Sequence, residues 1–266
     1  MGVITFLTDF GLQDDFVGTC HGVIAGIAPD VRVIDVTHGI APQAVLQGAL
    51  VLRNTTAFMP VGVHLAVVDP DVGGNRRAVA IGTDDGRTFV GPDNGLLTLA
   101  ADAIGIASVH ELTDERYRLA DVSRTFHARD IFAPAAAHLA AGVPIEELGA
   151  ALDPATLVRV AVPDPDVGRT QISATVISVD RFGNVATNLR HEHLEALGIA
   201  NGDRVEVRLS FERYYAFVAG TFADAPPGEL ILYEDSYDLV TLAISRGDAA
   251  RLTGVGPGDE LRIAVT

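Results

Sequence analysis

Short apolar runs alternate with segments of helical period along the first part of the chain. Runs at 3–7, 31–36 and 64–68 are apolar and rich in β-branched residues, which predicts strands. Helical patterns follow them, from about 15 to 28, over 43–58, over 96–103 and over 131–141. Asp14 or Asp15 stands where the first helix needs an N-cap, Pro42 opens the second, and Asp130 is placed to cap the last. Strands at 78–82 and 87–90 are joined by Asp84-Asp85-Gly86, a hairpin signal. Strands alternating with helices predict an α/β N-terminal domain with a largely parallel sheet.

The rhythm changes after Pro154. Strands at 172–179, 204–209, 214–218, 229–233, 239–244 and 261–265 follow one another with turns between them. That spacing predicts a smaller all-β, barrel-like C-terminal domain. The expected division is an α/β domain over 1–155, a proline-bearing linker over 156–167 and the barrel-like domain over 168–266.

Composition narrows the function. A formal net charge of -16 argues against nucleic acid, whose binding needs a basic patch, and against an anionic membrane surface. No apolar run approaches the length of a membrane span, and the N-terminus lacks a basic leader, so a cytoplasmic protein is expected. Cys20 is the single cysteine, so no intrachain disulfide can form, and its place in a helical pattern suggests core packing.

Candidate chemistry gathers where strands end. The run 64–68 stops at Asp69-Pro70, two glycines follow, and Arg76 can fold back across that turn. Asp69 is then either half of a strand-end salt bridge or a ligand-facing carboxylate, because open α/β sheets bind ligands beyond their strands' carboxyl ends. Asp9, just past the first strand, either caps its own turn or holds a ligand diol. His127 lies on the approach to a helix N-terminus, whose positive end favours a neutral imidazole or a bound anion nearby. In the second domain Asp180-Arg181-Phe182-Gly183-Asn184 forms a polar loop, and Phe222 is either a core plug or a stacking platform.

Six stretches, in order, carry a resemblance. They are Thr8-Asp9-Phe10-Gly11, Val68-Asp69-Pro70 through Arg76, Gly91-Pro92-Asp93-Asn94-Gly95, Thr125-Phe126-His127-Ala128-Arg129-Asp130, Phe182-Gly183-Asn184 and Tyr233-Glu234-Asp235-Ser236. Together they resemble the S-adenosylmethionine hydroxide adenosyltransferases, or adenosylmethionine hydrolases, relatives of the fluorinase and chlorinase. The resemblance implies a homotrimer with the ligand at subunit interfaces. It also implies cleavage of S-adenosyl-L-methionine, as substrate and without cofactor or metal, to adenosine and L-methionine. By that matching Asp69, Arg76 and His127 carry the chemistry and Asp9 holds the ribose. Phe222 packs on adenine, while Asp180, Asn184 and Ser236 hold the methionine end or the base. Asp71 and Ala128 stand where the family usually has glycine, and Ser245-Arg246 stands where an asparagine is common.

Three other readings compete. A halogenase would share the substrate, but by the resemblance it carries a tyrosine at the Asp69 position, and Asp69 would repel a halide. A divalent-metal phosphoesterase could use Asp9, Asp69, Asp93 and His127, although Arg76 would compete with the cation. A non-catalytic nucleoside-binding module would need Asp9 and Phe222 alone.

Overall fold

Parallel strands covered on both faces must be apolar on both. Strands β1 (Val3–Thr8) and β3 (Val63–Val67) meet that demand, being buried along almost their whole length. The computed structural model, which describes residues 2–209 and 212–265, places them side by side. The flanking strands are β2 (Arg32–Thr37), β4 (Ala78–Thr83), β5 (Thr88–Pro92) and β6 (Ile106–Glu111). The sheet order is β2-β1-β3-β5-β4-β6, with β4 antiparallel to both neighbours and the other pairings parallel.

Two helices cover each face. Val63, Leu65 and Val67 point into a core shared with α1 (Phe16–Ile27) and α4 (Ala133–Ala140). The alternate positions Ala66 and Val68 join the opposite core with α2 (Val45–Thr56) and α3 (Thr98–Ile104). This is the period-2 alternation of a strand expressed as two separate cores. Helix α4 buries Ala133, Ala135, Ala136 and Ala137, whose small side chains let it lie close to the sheet. Cys20 is fully buried here; burial pushes its thiol up to about 12, against the pull of Arg129, so it packs rather than reacts.

Some local expectations change. Asp15 occupies the N-cap position of α1 but its side chain makes no cap bond. Asp130 does not cap α4 at all. It lies in a wide π-type turn, Ala128–Phe132, fully buried, where its carboxylate accepts from the Ser123 N–H (2.8 Å) and from Arg129. A sealed carboxylate needs these fixed donors more than a helix end needs a cap. Strand β6, which no continuous apolar run announces, is held by pairing with β4.

The chain divides into two compact units, Met1–Ala161 and Val162–Thr266. In the second, the strands are β7 (Asp166–Val167), β8 (Gln171–Val179), β9 (Val185–Thr187), β10 (Arg204–Leu209), β11 (Glu212–Val218), β12 (Leu230–Glu234), β13 (Val240–Ile244) and β14 (Glu260–Val265). The order β14-β10-β11-β12-β13-β9-β8 closes on itself through β14–β8 pairing, while β7 adds to β8 outside the ring. Closure removes the open edges a small sheet would otherwise expose. Along β10, Val205, Val207 and Leu209 point inward, with Arg204 and Arg208 outward. Two short helices, α5 (His191–Ala196) and α6 (Ala249–Thr253), complete the unit. No helix among the described residues is long and apolar enough to cross a membrane.

Candidate active site

The order β2-β1-β3 makes a switch point between β1 and β3. The chain leaves β1 through α1 on one face and enters β3 from α2 on the other. A crevice opens at such a point, beyond the carboxyl ends of the strands. Asp9 follows β1 and Asp69 follows β3, so both carboxylates stand at its rim. A cavity of about 400 Å³ lies there, lined among others by Asp9, Phe10, Phe16, Asp69, Phe126 and His127. That volume suits a small organic ligand.

Arg76 is the centre of the polar geometry. Its Nε donates to both oxygens of Asp69 (3.1 and 2.9 Å), and Nη2 donates to Oδ2 at 2.6 Å. The same Nη2 reaches His127 Nδ1 at 2.7 Å. The Asp69 and Arg76 side chains are only 5% and 8% exposed, and the guanidinium also lies over the Phe132 ring at 5.1 Å. A guanidinium has no lone pair to offer, so Nδ1 of His127 must accept, and the neutral ring carries its proton on Nε2. Burial first, then the Arg76 charge, holds His127 below the ordinary imidazole value, so the neutral form dominates at neutral pH.

Backbone geometry makes this meeting possible. Gly73 has φ +79, and a Cβ there would lie 2.2 Å from the Arg124 carbonyl oxygen. Only glycine lets the turn after Asp69 close against the loop leading to His127. His127 itself stands at the start of the wide Ala128–Phe132 turn. Asp9 is fixed from another side, its Oδ2 accepting from the Gln43 N–H at 2.8 Å, with Gln43 held at φ 67. Asp71 is exposed and does not line the cavity. Asp93, a candidate ligand in the phosphoesterase reading, also stays outside; its carboxylate is taken by Arg77 and the Val158 N–H.

The barrel unit has a concavity of its own, about 550 Å³, lined by Asp180, Phe182, Asn184, Phe222, Arg246 and Gly247 beside Ile244. Asp180 organises its loop by accepting from the N–H groups of Phe182 (2.8 Å) and Asn184 (2.9 Å) and from Asn184 Nδ2 (2.8 Å). Phe222 is 39% exposed and its ring meets Tyr233 at 4.7 Å, so one side is supported and the other is open. Ser236 is exposed on the turn between β12 and β13 and is not among the lining residues.

Several residues escaped the sequence reading. Phe10, Phe16 and Phe126 form an edge-to-face cluster, with centroids 5.2 to 6.2 Å apart, on the cavity wall. The one signal they offered was aromatic rings in segments adjoining Asp9 and His127. Arg246 and Gly247, in the stretch noted for its missing asparagine but given no role, line the barrel concavity, and Ser245 Oγ donates to the Phe222 and Ala225 carbonyls, steadying the Phe222 loop.

The α/β unit carries a carboxylate–guanidinium–imidazole chain beside a switch-point cavity, and the barrel unit carries an aromatic-lined concavity of its own; each is the size of a small-molecule site. The sequence matches the SAM hydroxide adenosyltransferase N-terminal domain over residues 4–149 and the SAM hydroxide adenosyltransferase C-terminal domain over 174–262. The chain belongs to the SAM hydroxide adenosyltransferase family. It is 48% identical over 261 residues to an (R)-S-adenosyl-L-methionine hydrolase of Salinispora tropica, covering 98% of this chain and 97% of that protein. A protein of the same description from Salinispora arenicola is 46% identical over 265 residues, with the same coverages. A crystal structure of an uncharacterized conserved protein from Thermotoga maritima superposes with a TM-score of 0.89 at 38% identity, covering 98% of this chain and 99% of that one.

Proposed function

We propose that Asp69, Arg76 and His127 form the catalytic centre of an S-adenosyl-L-methionine hydrolase. The chain hydrolyses S-adenosyl-L-methionine to adenosine and L-methionine. The observation that carries the site assignment is the single guanidinium of Arg76 holding both Asp69 and His127 beside the switch-point cavity.

The sulfonium is already a good leaving group, so the thioether needs no acid to depart. What remains is to place water in line behind the ribose 5′ carbon. Asp69 faces the cavity with both oxygens steered by Arg76, and Oδ1, which accepts from Nε alone, keeps a free lone pair for that water. As the new C5′–O bond forms and the C5′–S bond breaks, the water proton passes to Asp69 and then to solvent. Arg76 is not the base, since its pKa exceeds about 12; it orients the carboxylate and steadies developing negative charge. His127, neutral and accepting from Arg76, keeps the guanidinium from turning away. Charge is neutralised as the cationic sulfonium becomes a thioether, so a dry apolar wall of Phe10, Phe16 and Phe126 favours the transition state.

In this reading Asp9 holds the ribose hydroxyls, Phe222 packs on adenine, and Asp180, Asn184 and Ser236 hold the methionine end or the base. The α/β domain carries the reacting groups and the barrel domain completes the ligand site, in a cytoplasmic homotrimer with sites at subunit interfaces. The support is family membership together with the separate concavities of the two units. Light scattering should then give three times the 27.9 kDa chain mass.

The direct experiment is incubation with S-adenosyl-L-methionine and chromatography of adenosine and methionine, with Asp69→Ala and His127→Ala alongside. Adenosine from the parent protein, strongly reduced in both variants, supports the reading. Equal rates in all three proteins would remove these residues from the chemistry. A 5′-halogenated nucleoside formed in chloride or fluoride would make the protein a halogenase instead.

A further inference from the structure

We infer that His21, Asp35 and His38 form a binding site for a single transition-metal ion, separate from the proposed catalytic centre and outside the activity argued above. Their ligand atoms all lie within 4.8 Å of one another. His21 Nε2 is 2.9 Å from Asp35 Oδ1, and His38 Nε2 is 3.1 Å from that same oxygen. None of the three lines the cavity that holds Asp69.

The fold brings these groups together by an irregularity. Positions three apart on a regular strand face opposite sides. Between β1 and β2, Phe6 pairs with Asp35 but Leu7 pairs with Thr37, so Val36 is an extra residue in the ladder. Such a bulge re-aims the side chains beyond it. Asp35 and His38 therefore turn to the same side, towards His21 on α1.

The second observation is the state of His38. Its side chain is 3% exposed, and its Nε2 makes no hydrogen bond, because the nearby Asp35 oxygen lies off the line an N–H would need. A sealed imidazole nitrogen without a partner costs stability unless something takes its lone pair. The other nitrogen, Nδ1, is 2.8 Å from Thr8 Oγ1. That hydroxyl already accepts from the Phe10 N–H at 3.2 Å, and its other lone pair is free to accept the His38 Nδ1 proton. Nε2 is then left as a bare lone pair beside the Asp35 carboxylate and the His21 imidazole, with its axis off the Asp35 oxygen itself. A histidine whose second nitrogen donates to a protein oxygen is the usual support of a metal ligand.

The donor set selects the ion. Two imidazoles and one carboxylate suit zinc and its first-row neighbours better than magnesium or calcium. Donors at zinc bonding distance stand about 3.3 Å apart in a tetrahedron, close to the separations on the shared Asp35 oxygen. Asp35 and His21 have side chains 44% and 35% exposed, which gives an ion a way in and leaves a fourth position for water. The His38 carbonyl also accepts from the Gly11 N–H at 2.7 Å, so a bound ion would brace the turn that carries Asp9.

The test uses the full, untagged chain after metal stripping. Cobalt is added to follow its ligand-field absorbance, and zinc is titrated by calorimetry. One ion per chain is expected. His21→Ala and Asp35→Asn should each weaken binding by more than about 100-fold, and Thr8→Val, which removes only the supporting hydroxyl, by about 10–100-fold. Circular dichroism and adenosine formation by the His21→Ala and Asp35→Asn proteins check that they remain folded. No saturable binding of either ion overturns the inference. So does undiminished binding by His21→Ala, which would place the ion elsewhere, for example at His191 and His193. Because binding is read without substrate, failure here leaves the hydrolase reading untouched, and the reverse also holds.

Discussion

Arg76 and Arg77 are neighbours in sequence, and each grips an aspartate just past the end of a strand. Arg77 holds Asp93, which follows β5, while the other Asp93 oxygen accepts from the Val158 N–H at 2.9 Å. Arg77 also donates to the Thr156 carbonyl at 2.6 Å. The Asp93 carboxylate is sealed with both oxygens taken, and the pair stitches residues 156–158 to the sheet. Arg76 holds Asp69 just as tightly, but Asp69 opens on a cavity and the guanidinium has a second partner in His127. The ion pair is the same chemistry twice; what the pair leaves uncommitted decides whether it is structural or catalytic.

The largest effect should separate the two pairs. Asp69→Asn keeps shape and loses charge, so adenosine formation should fall by about 10²–10⁴-fold, and stability should fall as well because the buried Arg76 loses its charged partner. Asp93→Ala should cost stability alone. Breaking a buried pair costs about 3–5 kcal/mol, here at the lower end because Arg77 is 27% exposed. The rate per folded molecule should stay near that of the parent protein, as denaturant midpoints and initial rates together would reveal. Similar rate losses in both variants would erase the distinction.

The histidines sharpen the same contrast. His64 is sealed in the sheet, bonded to Thr5 through Nδ1 at 2.8 Å and stacked on Phe89. Burial, then the Arg87 charge, pushes it down to about 4. The unfolded chain then binds the extra proton between its ordinary 6.5 and that value. Stability is therefore full above pH 6.5 and is lost as pH falls through this window, by roughly 3 kcal/mol. Urea titrations from pH 7 to 4 should show this slope, and His64→Leu should flatten it. His127 is a milder case beside the cavity. Protonation at Nδ1 would drive off Arg76, so kcat/KM should be flat at neutral pH and fall about tenfold per pH unit only below the ordinary imidazole value. A limb centred above 6.5 would contradict the neutral acceptor assigned to His127.

Much of the fold was legible because apolar runs are local. The strands at 3–7, 64–68 and 204–209 lie within a residue of β1, β3 and β10. What escaped depends on pairing across the chain: β6, whose short apolar stretches are broken by Ser108 and His110, and the parallel pairing of β11 with β12 within the barrel. The Asp69–Arg76 contact could be read from a turn of known chemistry seven positions long. The Arg76–His127 contact spans 51 positions, and no spacing rule reaches that far. Resemblance named His127, but only packing shows it as an acceptor. Asp130 illustrates the converse error, a residue with the signature of a cap that is drawn instead into a sealed polar cluster.

The wide turn at Ala128–Phe132 gives the protein an unusual kind of handle. A helix advances about 100° for each residue, and a π-type turn holds one residue more than an α-turn would. Deleting a single residue there would let the segment relax to ordinary winding and swing His127 about a quarter-turn away from Arg76. Helix α4 beyond the deletion could keep its alanine face on the sheet. A one-residue deletion, commonly the most disruptive of small lesions, would here act as a near-surgical off switch, giving a soluble, folded protein with its imidazole facing the wrong way.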